Sequence, residues 1–234
     1  MKKKRLAIIT ARGGSKRIPY KNIRQFCGKP IITYSIEAAL QSGVFDEVMV
    51  STDDEKIEAI ARKAGAKVPF LRSAETSNDF ATTADVIMEV LEEYEKREQG
   101  FDSACCIYPT APFITAGKLK NAVELLEDKG YDSVMPVAEF SFPPLRGMTM
   151  EEDKVSYKWE EFSMARSQDL EKIYHDVGQF YAFDVEKFKE SKKLVTKNTG
   201  AIIIDELEMQ DIDNEVDWKL AELKYQLMQE TKRN

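Results

Sequence analysis

The chain has 234 residues, 43% of them hydrophobic, enough for one domain that hides roughly 70–75% of its unfolded surface. Its formal charge of −7, from 34 Lys and Arg against 41 Asp and Glu, argues against non-specific nucleic-acid binding. No apolar run nears the ~20 residues of a membrane span, and no secretory signal is present. The three cysteines (Cys27, Cys105, Cys106) and single histidine, His175, suggest neither a disulfide framework nor a His-based triad, so a cytoplasmic protein is expected.

The first element is an apolar run, Leu6 to Ile9, short enough to be one buried strand. Gly13-Gly14 ends it, and Arg12, Lys16, Arg17 and Lys21 surround the turn. Glycines without a Cβ let a ligand approach backbone N–H groups, and cations around them suit a small polyanion such as a triphosphate. A solvated loop reads much the same. Against that stand the acidity of the rest of the chain and the position of the cluster after the first strand, where open α/β sheets bind ligands. The stretch is neither G-x-G-x-x-G nor a P-loop.

A helix follows over Pro30 to Ser42, with Ile32, Ile36, Ala39 and Leu40 on one face. Glu47 to Thr52 reads as a strand, with Asp53 or Asp54 able to cap a helix over Glu55 to Ala64. Val68 to Leu71 reads as a third strand and Ser73 to Ala81 as a polar connection. Thr82 and Thr83 open a helix carrying Val86, Ile87, Val90, Leu91 and Tyr94, whose end from Glu92 to Gln99 is solvated. Ala104 to Tyr108 is a buried strand stopped by Pro109-Thr110-Ala111-Pro112. A helix through Leu119, Ala122, Val123 and Leu126, then a strand from Ser133 to Val137, complete the regular part.

This alternation predicts right-handed βαβ units and a mostly parallel sheet covered on both faces. Between Glu139 and Asp176 the rhythm breaks into an insertion with exposed aromatics, which reads as a partner surface. Strands resume at Gly178–Phe183 and Ala201–Ile204. A last helix, Val216 to Met228, is expected to turn Val216, Leu220, Leu223 and Leu227 to the core.

Asp211-Ile212-Asp213 precedes that helix. Alternate residues of an extended segment share a side, so the carboxylates can converge while Ile212 turns inward. Paired hard oxygens suit Mg²⁺ beside a polyphosphate; acids that merely decorate a helix N-terminus look the same. Read alone, Thr82 and Thr83 also fit a helix cap, the segment from Tyr108 a turn, and Gln179 an outward polar position.

The run from Ala11 through Arg12-Gly13-Gly14-Ser15-Lys16-Arg17-Ile18-Pro19-Tyr20-Lys21 to Asn22 resembles the signature of the sugar-acid cytidylyltransferases, which make CMP-activated nonulosonic acids. Val50-Ser51-Thr52-Asp53, Pro109-Thr110-Ala111-Pro112, Arg166-Ser167-Gln168-Asp169-Leu170 and Asp211-Ile212-Asp213 extend the resemblance along nearly the whole chain. It implies a Rossmann-like α/β sheet of the nucleotide-diphospho-sugar transferase type, with residues 139–176 as a dimerisation arm within a domain spanning 1–234. Arg12, Lys16 and Lys21 would hold the triphosphate as the catalytic cations, and Ala11, Gly13 and Gly14 would line the nucleotide. Asn22, Asp79 and Thr82 would face the nucleoside, and Asp211 with Asp213 would hold Mg²⁺. Tyr108, Thr110, Arg166 and Gln179 would contact the nine-carbon sugar acid.

Where the sialic acid branch has Gln before Pro-Thr, this chain has Tyr108. Where that branch has Asn-Gly-Ala, it has Val177-Gly178-Gln179. Both stretches are similar to the branch that acts on pseudaminic acid. The reaction implied is attack of the anomeric hydroxyl on the α-phosphorus of CTP, with pyrophosphate leaving, in a homodimer. Sialic or legionaminic acid is the alternative acceptor, another base on a sugar phosphate is a second enzyme reading, and a non-catalytic nucleotide-binding protein is the reading from another class.

Overall fold

The computed structural model describes residues 3–15 and 17–231. The first apolar run forms β1 (Arg5–Thr10), with its middle residues wholly buried. A 3₁₀ turn at Lys21–Ile23 and a short hairpin, β2 (Gln25–Phe26) with β3 (Lys29–Pro30), lead into α1 (Ile32–Ser42). Next come β4 (Glu47–Ser51), α2 (Glu55–Lys63), a four-residue α3 (Ala74–Ser77) and α4 (Thr83–Glu95). β5 (Ser103–Ile107), α5 (Ala116–Lys129) and β6 (Ser133–Glu139) continue the alternation. An antiparallel hairpin of β7 (Met148–Glu151) and β8 (Lys154–Tyr157) follows. The chain then returns through β9 (Tyr174–Asp176), β10 (Phe180–Asp184), α6 (Val185–Ser191) and β11 (Thr199–Ile203) to α7 (Glu215–Thr231).

The main sheet has the order β11-β6-β10-β5-β1-β4, with β9 paired to the end of β6. β1 lies parallel between β4 and β5, and β11 lies parallel to β6. Along that path β10 alone is reversed, antiparallel to both its neighbours. Successive strand residues serve opposite faces. Ala7, Ile9, Val48, Val50, Cys105 and Ile107 pack with α1, α2 and α5, whereas Leu6, Ile8, Met49, Ala104 and Cys106 pack with α4 and α6. The adjacent thiols Cys105 and Cys106 therefore look to different layers, which explains two cysteines in one strand without a disulfide.

The structure corrects four expectations. Val68 to Leu71 is not a strand. Only Lys67 pairs beside Met49, and Pro69, which has no N–H to donate, stops the ladder although Val68 is buried. Ser73 to Ala81 is not wholly irregular, because α3 lies within it. The segment 139–176 is more ordered than its sequence suggests: its ends belong to the main sheet through β6 and β9, and between them stands the solvent-exposed β7–β8 hairpin.

The fourth concerns α7. Val216, Leu220, Leu223 and Leu227 are exposed, at 66%, 43%, 57% and 51%, while Trp218, Ala221 and Met228 are buried. The helix is apolar on two faces. The aromatic one wins because Trp218 and Tyr225 meet Phe26 edge-on at 5.6 Å and close a cluster with Ile18, Tyr34, Phe113 and Ile212.

Candidate active site

Beyond the carboxyl end of β1 lies a cleft of about 240 Å³, lined by Thr10, Arg12, Ser15, Arg17, Lys21, Asn22, Tyr108, Thr110 and Asp213 among others. It forms because the glycine loop is pinned at three points. The Gly13 N–H donates to Asp53 Oδ1 at 2.9 Å, and a Cβ on Gly13 would lie 2.8 Å from Asp54 Oδ2. Gly13 is thus required by close approach, not by a left-handed backbone; Gly14 has open space around it. Asp54 itself caps α2, accepting from Lys56 and Ile57 N–H groups. Ile18, 1% exposed, is buried in the same cluster as Ile212, which ties the loop to the Asp211–Asp213 segment across the cleft.

Arg12 and Lys21 reach the cleft by different routes. Arg12 extends along its rim and donates to Asp79 at 2.7 Å and to the Asn78 carbonyl at 3.1 Å. Lys21 is half-buried in the 3₁₀ turn, after Tyr20 at φ 53°, and donates to the Ile212 carbonyl at 2.7 Å. Burial pulls the Lys21 ammonium below the usual lysine value, with Asp213 and Asp211 opposing that pull. Asn22, 6% exposed, donates its amide to the Arg12 carbonyl at 2.9 Å and so fixes the backbone from which Arg12 projects. Ala11 is buried and donates its N–H to Ser51 O. Lys16 lies outside the described residues.

The carboxylates converge only in part. Ile212 is buried as expected, and Asp211 and Asp213 both act on Lys21, but Asp213 faces the first cleft while Asp211 lines a second. The second cleft, about 460 Å³, has His175, Asp176, Gly178, Gln210 and Lys224 on its walls. Asp213 pairs with Arg17 at 2.7 Å, with both side chains well exposed.

Tyr108 lies on the first cleft, partly buried, and its hydroxyl is 3.4 Å from Thr83 Oγ1. Thr110 lines the same cleft. Three expected contacts sit elsewhere. Thr82 is the N-cap of α4 in a reciprocal box with Asp85. Gln179 is 3% exposed and lines neither cleft: its Nε2 donates to the Glu208 carbonyl at 2.7 Å, and its Oε1 has no partner among the described residues. Arg166 lies on the inserted segment, paired to Asp169 at 2.8 Å. Gln179, just before β10, is therefore neither the outward polar position that it could have been read as nor a cleft contact: it is buried against the Glu208 carbonyl.

Arg72 escaped the sequence reading. It is 8% exposed, donates to Ser51 Oγ and Ser51 O, and feels both Asp53 and Arg12. Burial pulls its guanidinium below its usual value, with Asp53 the largest opposing charge. A buried arginine at the end of β4, behind the glycine loop, supports the site's positive field. Its position after the unrecognised Pro69 bend left no periodic signal.

The sheet order, the loop and the paired acids can now be compared with known proteins. A family model described as cytidylyltransferase matches residues 6–206. The chain belongs to the cytidylyltransferase family. It is 39% identical over 229 residues to the pseudaminic acid cytidylyltransferase of Campylobacter jejuni, covering 97% of this chain and 99% of that one. It is 34% identical to the CMP-N,N'-diacetyllegionaminic acid synthase of Legionella pneumophila, covering 96% and 97%. Among solved structures, a CMP:2-keto-3-deoxy-manno-octonic acid synthetase complexed with CTP superposes with a TM-score of 0.68 at 19% identity, covering 97% of this chain and 99% of that one. At that identity the likeness concerns the fold, which is the Rossmann-like α/β sheet expected of a nucleotidyltransferase.

Proposed function

We propose that this cytidylyltransferase transfers CMP from CTP to the anomeric hydroxyl of pseudaminic acid and releases pyrophosphate. The observation that carries the reading is one cleft holding Arg12, Lys21 and Asn22 on one wall and Tyr108 and Thr110 on another, in a chain so similar end to end to a pseudaminic acid cytidylyltransferase.

The acceptor oxygen forms a bond to the α-phosphorus as the bond to the pyrophosphate oxygen breaks, and the hydroxyl proton leaves to solvent or a substrate group. Such transfers are driven by positioning and by neutralising charge on the phosphoryl oxygens. Arg12 can serve by exchanging Asp79 for the triphosphate, since their ion pair is half-exposed and inexpensive to open. Lys21 is held by a carbonyl and partly desolvated, so its charge acts at low local dielectric. Asn22 keeps the Arg12 backbone in register.

Among the described residues no three ligating side chains are clustered, so a bound Mg²⁺ would take its remaining ligands from phosphates and water, as that ion usually does. Asp211 and Asp213 are hard oxygen donors whose charges both act on Lys21; Asp213, on the first cleft, fits that role directly, and Asp211 would reach the ion from the second. When bound, the ion would add charge neutralisation at the phosphates.

A homodimer forms part of this proposal. Met148, Met150 and Val155 on the hairpin, Phe142 and Met164 beside it, and the aliphatic stripe of α7 are all exposed, more apolar surface than isolated residues explain. Arg166 lines neither cleft of its own chain, consistent with service to a neighbour's. No helix among the described residues is long and apolar enough to cross a membrane, and the free cysteines fit the cytoplasm. The direct assay is pyrophosphate release from CTP with Mg²⁺, with and without pseudaminic acid. Release that depends on the acid supports the reading; release with CTP alone, or none, contradicts it.

A further inference from the structure

Tyr181 is buried, and a buried phenol needs a partner. It donates to Asp176 Oδ2, while Asp176 Oδ1 accepts the Gly178 N–H at 2.8 Å. Gly178 sits at φ +61°, a left-handed backbone that other residues adopt at a cost. The Tyr181 ring meets Tyr108 edge-on at 5.8 Å, and the Tyr108 N–H donates to Gln179 O at 2.9 Å. Tyr108 is a wall of the first cleft; Asp176 and Gly178 are walls of the second.

One carboxylate in the second cleft therefore holds, through a single buried phenol, the aromatic side chain that faces the first. We propose that Asp176 is a positioning residue for the acceptor, orienting Tyr108 through Tyr181 and coupling the two clefts. β9, which carries Asp176, is the return strand of the inserted segment and pairs Val137 with Asp176. The brace thus also anchors the base of that segment to the site. The inference rests on the reading that the sugar acid lies against Tyr108.

A hydrogen bond to a charged group is strong in a partly buried setting, and groups that act as one unit lose function together, not additively. The test is a double-mutant cycle of Asp176→Asn and Tyr181→Phe, measuring kcat and KM separately for pseudaminic acid and for CTP. Each single variant should lower kcat/KM for the acid roughly 10- to 100-fold. The double variant should be no worse than either single one, and the KM for CTP should stay unchanged. Multiplicative losses in the double variant, unchanged acceptor kinetics, or equal losses for CTP would overturn the brace. If Asp176→Asn does not fold, Tyr181→Phe, which keeps the ring packing, carries the same expectation alone. Wild-type protein that binds CTP but transfers to no nine-carbon acid removes the acceptor reading and this proposal with it. Normal wild-type transfer with unaffected variants removes the brace alone.

Discussion

Arg12 and Lys21 illustrate how two cations of one loop come to differ. Arg12 is held by half-exposed partners and is free to turn toward a ligand; Lys21 is locked by the Ile212 carbonyl and partly dehydrated. Either alanine substitution removes a charge-stabilising donor, so each should lower kcat/KM on the order of 10²–10³ without unfolding the protein. Near-wild-type turnover in both would remove the phosphate-loop assignment. The two differ in pH dependence. Because burial lowers the Lys21 pKa, its charge is lost on raising the pH before that of an ordinary lysine. CTP affinity, measured with a chelator present, should therefore weaken on the alkaline side, and Lys21→Arg should move that limb upward, since a guanidinium stays charged. An unmoved limb argues against Lys21. Asp213 is the third test. Its ion pair with Arg17 is exposed and contributes little, so Asp213→Asn should abolish transfer at a stability cost of at most ~1 kcal/mol. A large fall in Tm with turnover preserved would mean that the acid is structural.

At the scale of the element, α7 shows what a sequence hides. Periodicity finds the helix, but two apolar stripes share it, and only the aromatic partners Phe26 and Phe113, distant in sequence, decide which is buried. The cost of truncation should follow: Trp218→Ala about 3–5 kcal/mol, Leu223→Gln within about 0.5 kcal/mol in the isolated chain. Urea titrations giving the reverse order would show that the helix packs the other way round. The strands β1, β4 and β5 were legible because each is a short apolar run fully covered by helices. The Val68 segment was not, since a single buried valine next to a proline imitates a strand without a ladder. In the site, the glycine turn and the cations announced themselves against an acidic chain. Ile18, Asp53 and Arg72 did not, because what they do depends on Ile212, Gly13 and Ser51, contacts that no local spacing encodes.

At the scale of the molecule, the β7–β8 hairpin and the outer stripe of α7 each group several exposed apolar side chains. Sedimentation should show a dimer, and an active monomer would exclude it. Mixing inactive Arg166→Ala and Arg12→Ala subunits should restore activity in the mixed dimer, because one site then has both arginines; a mixed dimer without activity rules out an Arg166 that serves its neighbour. The acceptor remains the central claim. Any nine-carbon 2-keto sugar acid offers the same carboxylate and hydroxyl, so choice falls to groups beyond the phosphate loop. A site that hydrogen-bonds a substituent rejects an analogue lacking it far more strongly than the 10–200-fold of a mere shape difference. Tyr108 lies on the cleft for such a contact, whereas Gln179 is buried away from it against the Glu208 carbonyl. The most direct measurement incubates the enzyme with CTP, Mg²⁺ and, separately, pseudaminic, legionaminic and N-acetylneuraminic acids, and identifies the products by mass spectrometry. CMP-pseudaminic acid should form efficiently and CMP-N-acetylneuraminic acid weakly or not at all; preferential formation of the latter would contradict the account.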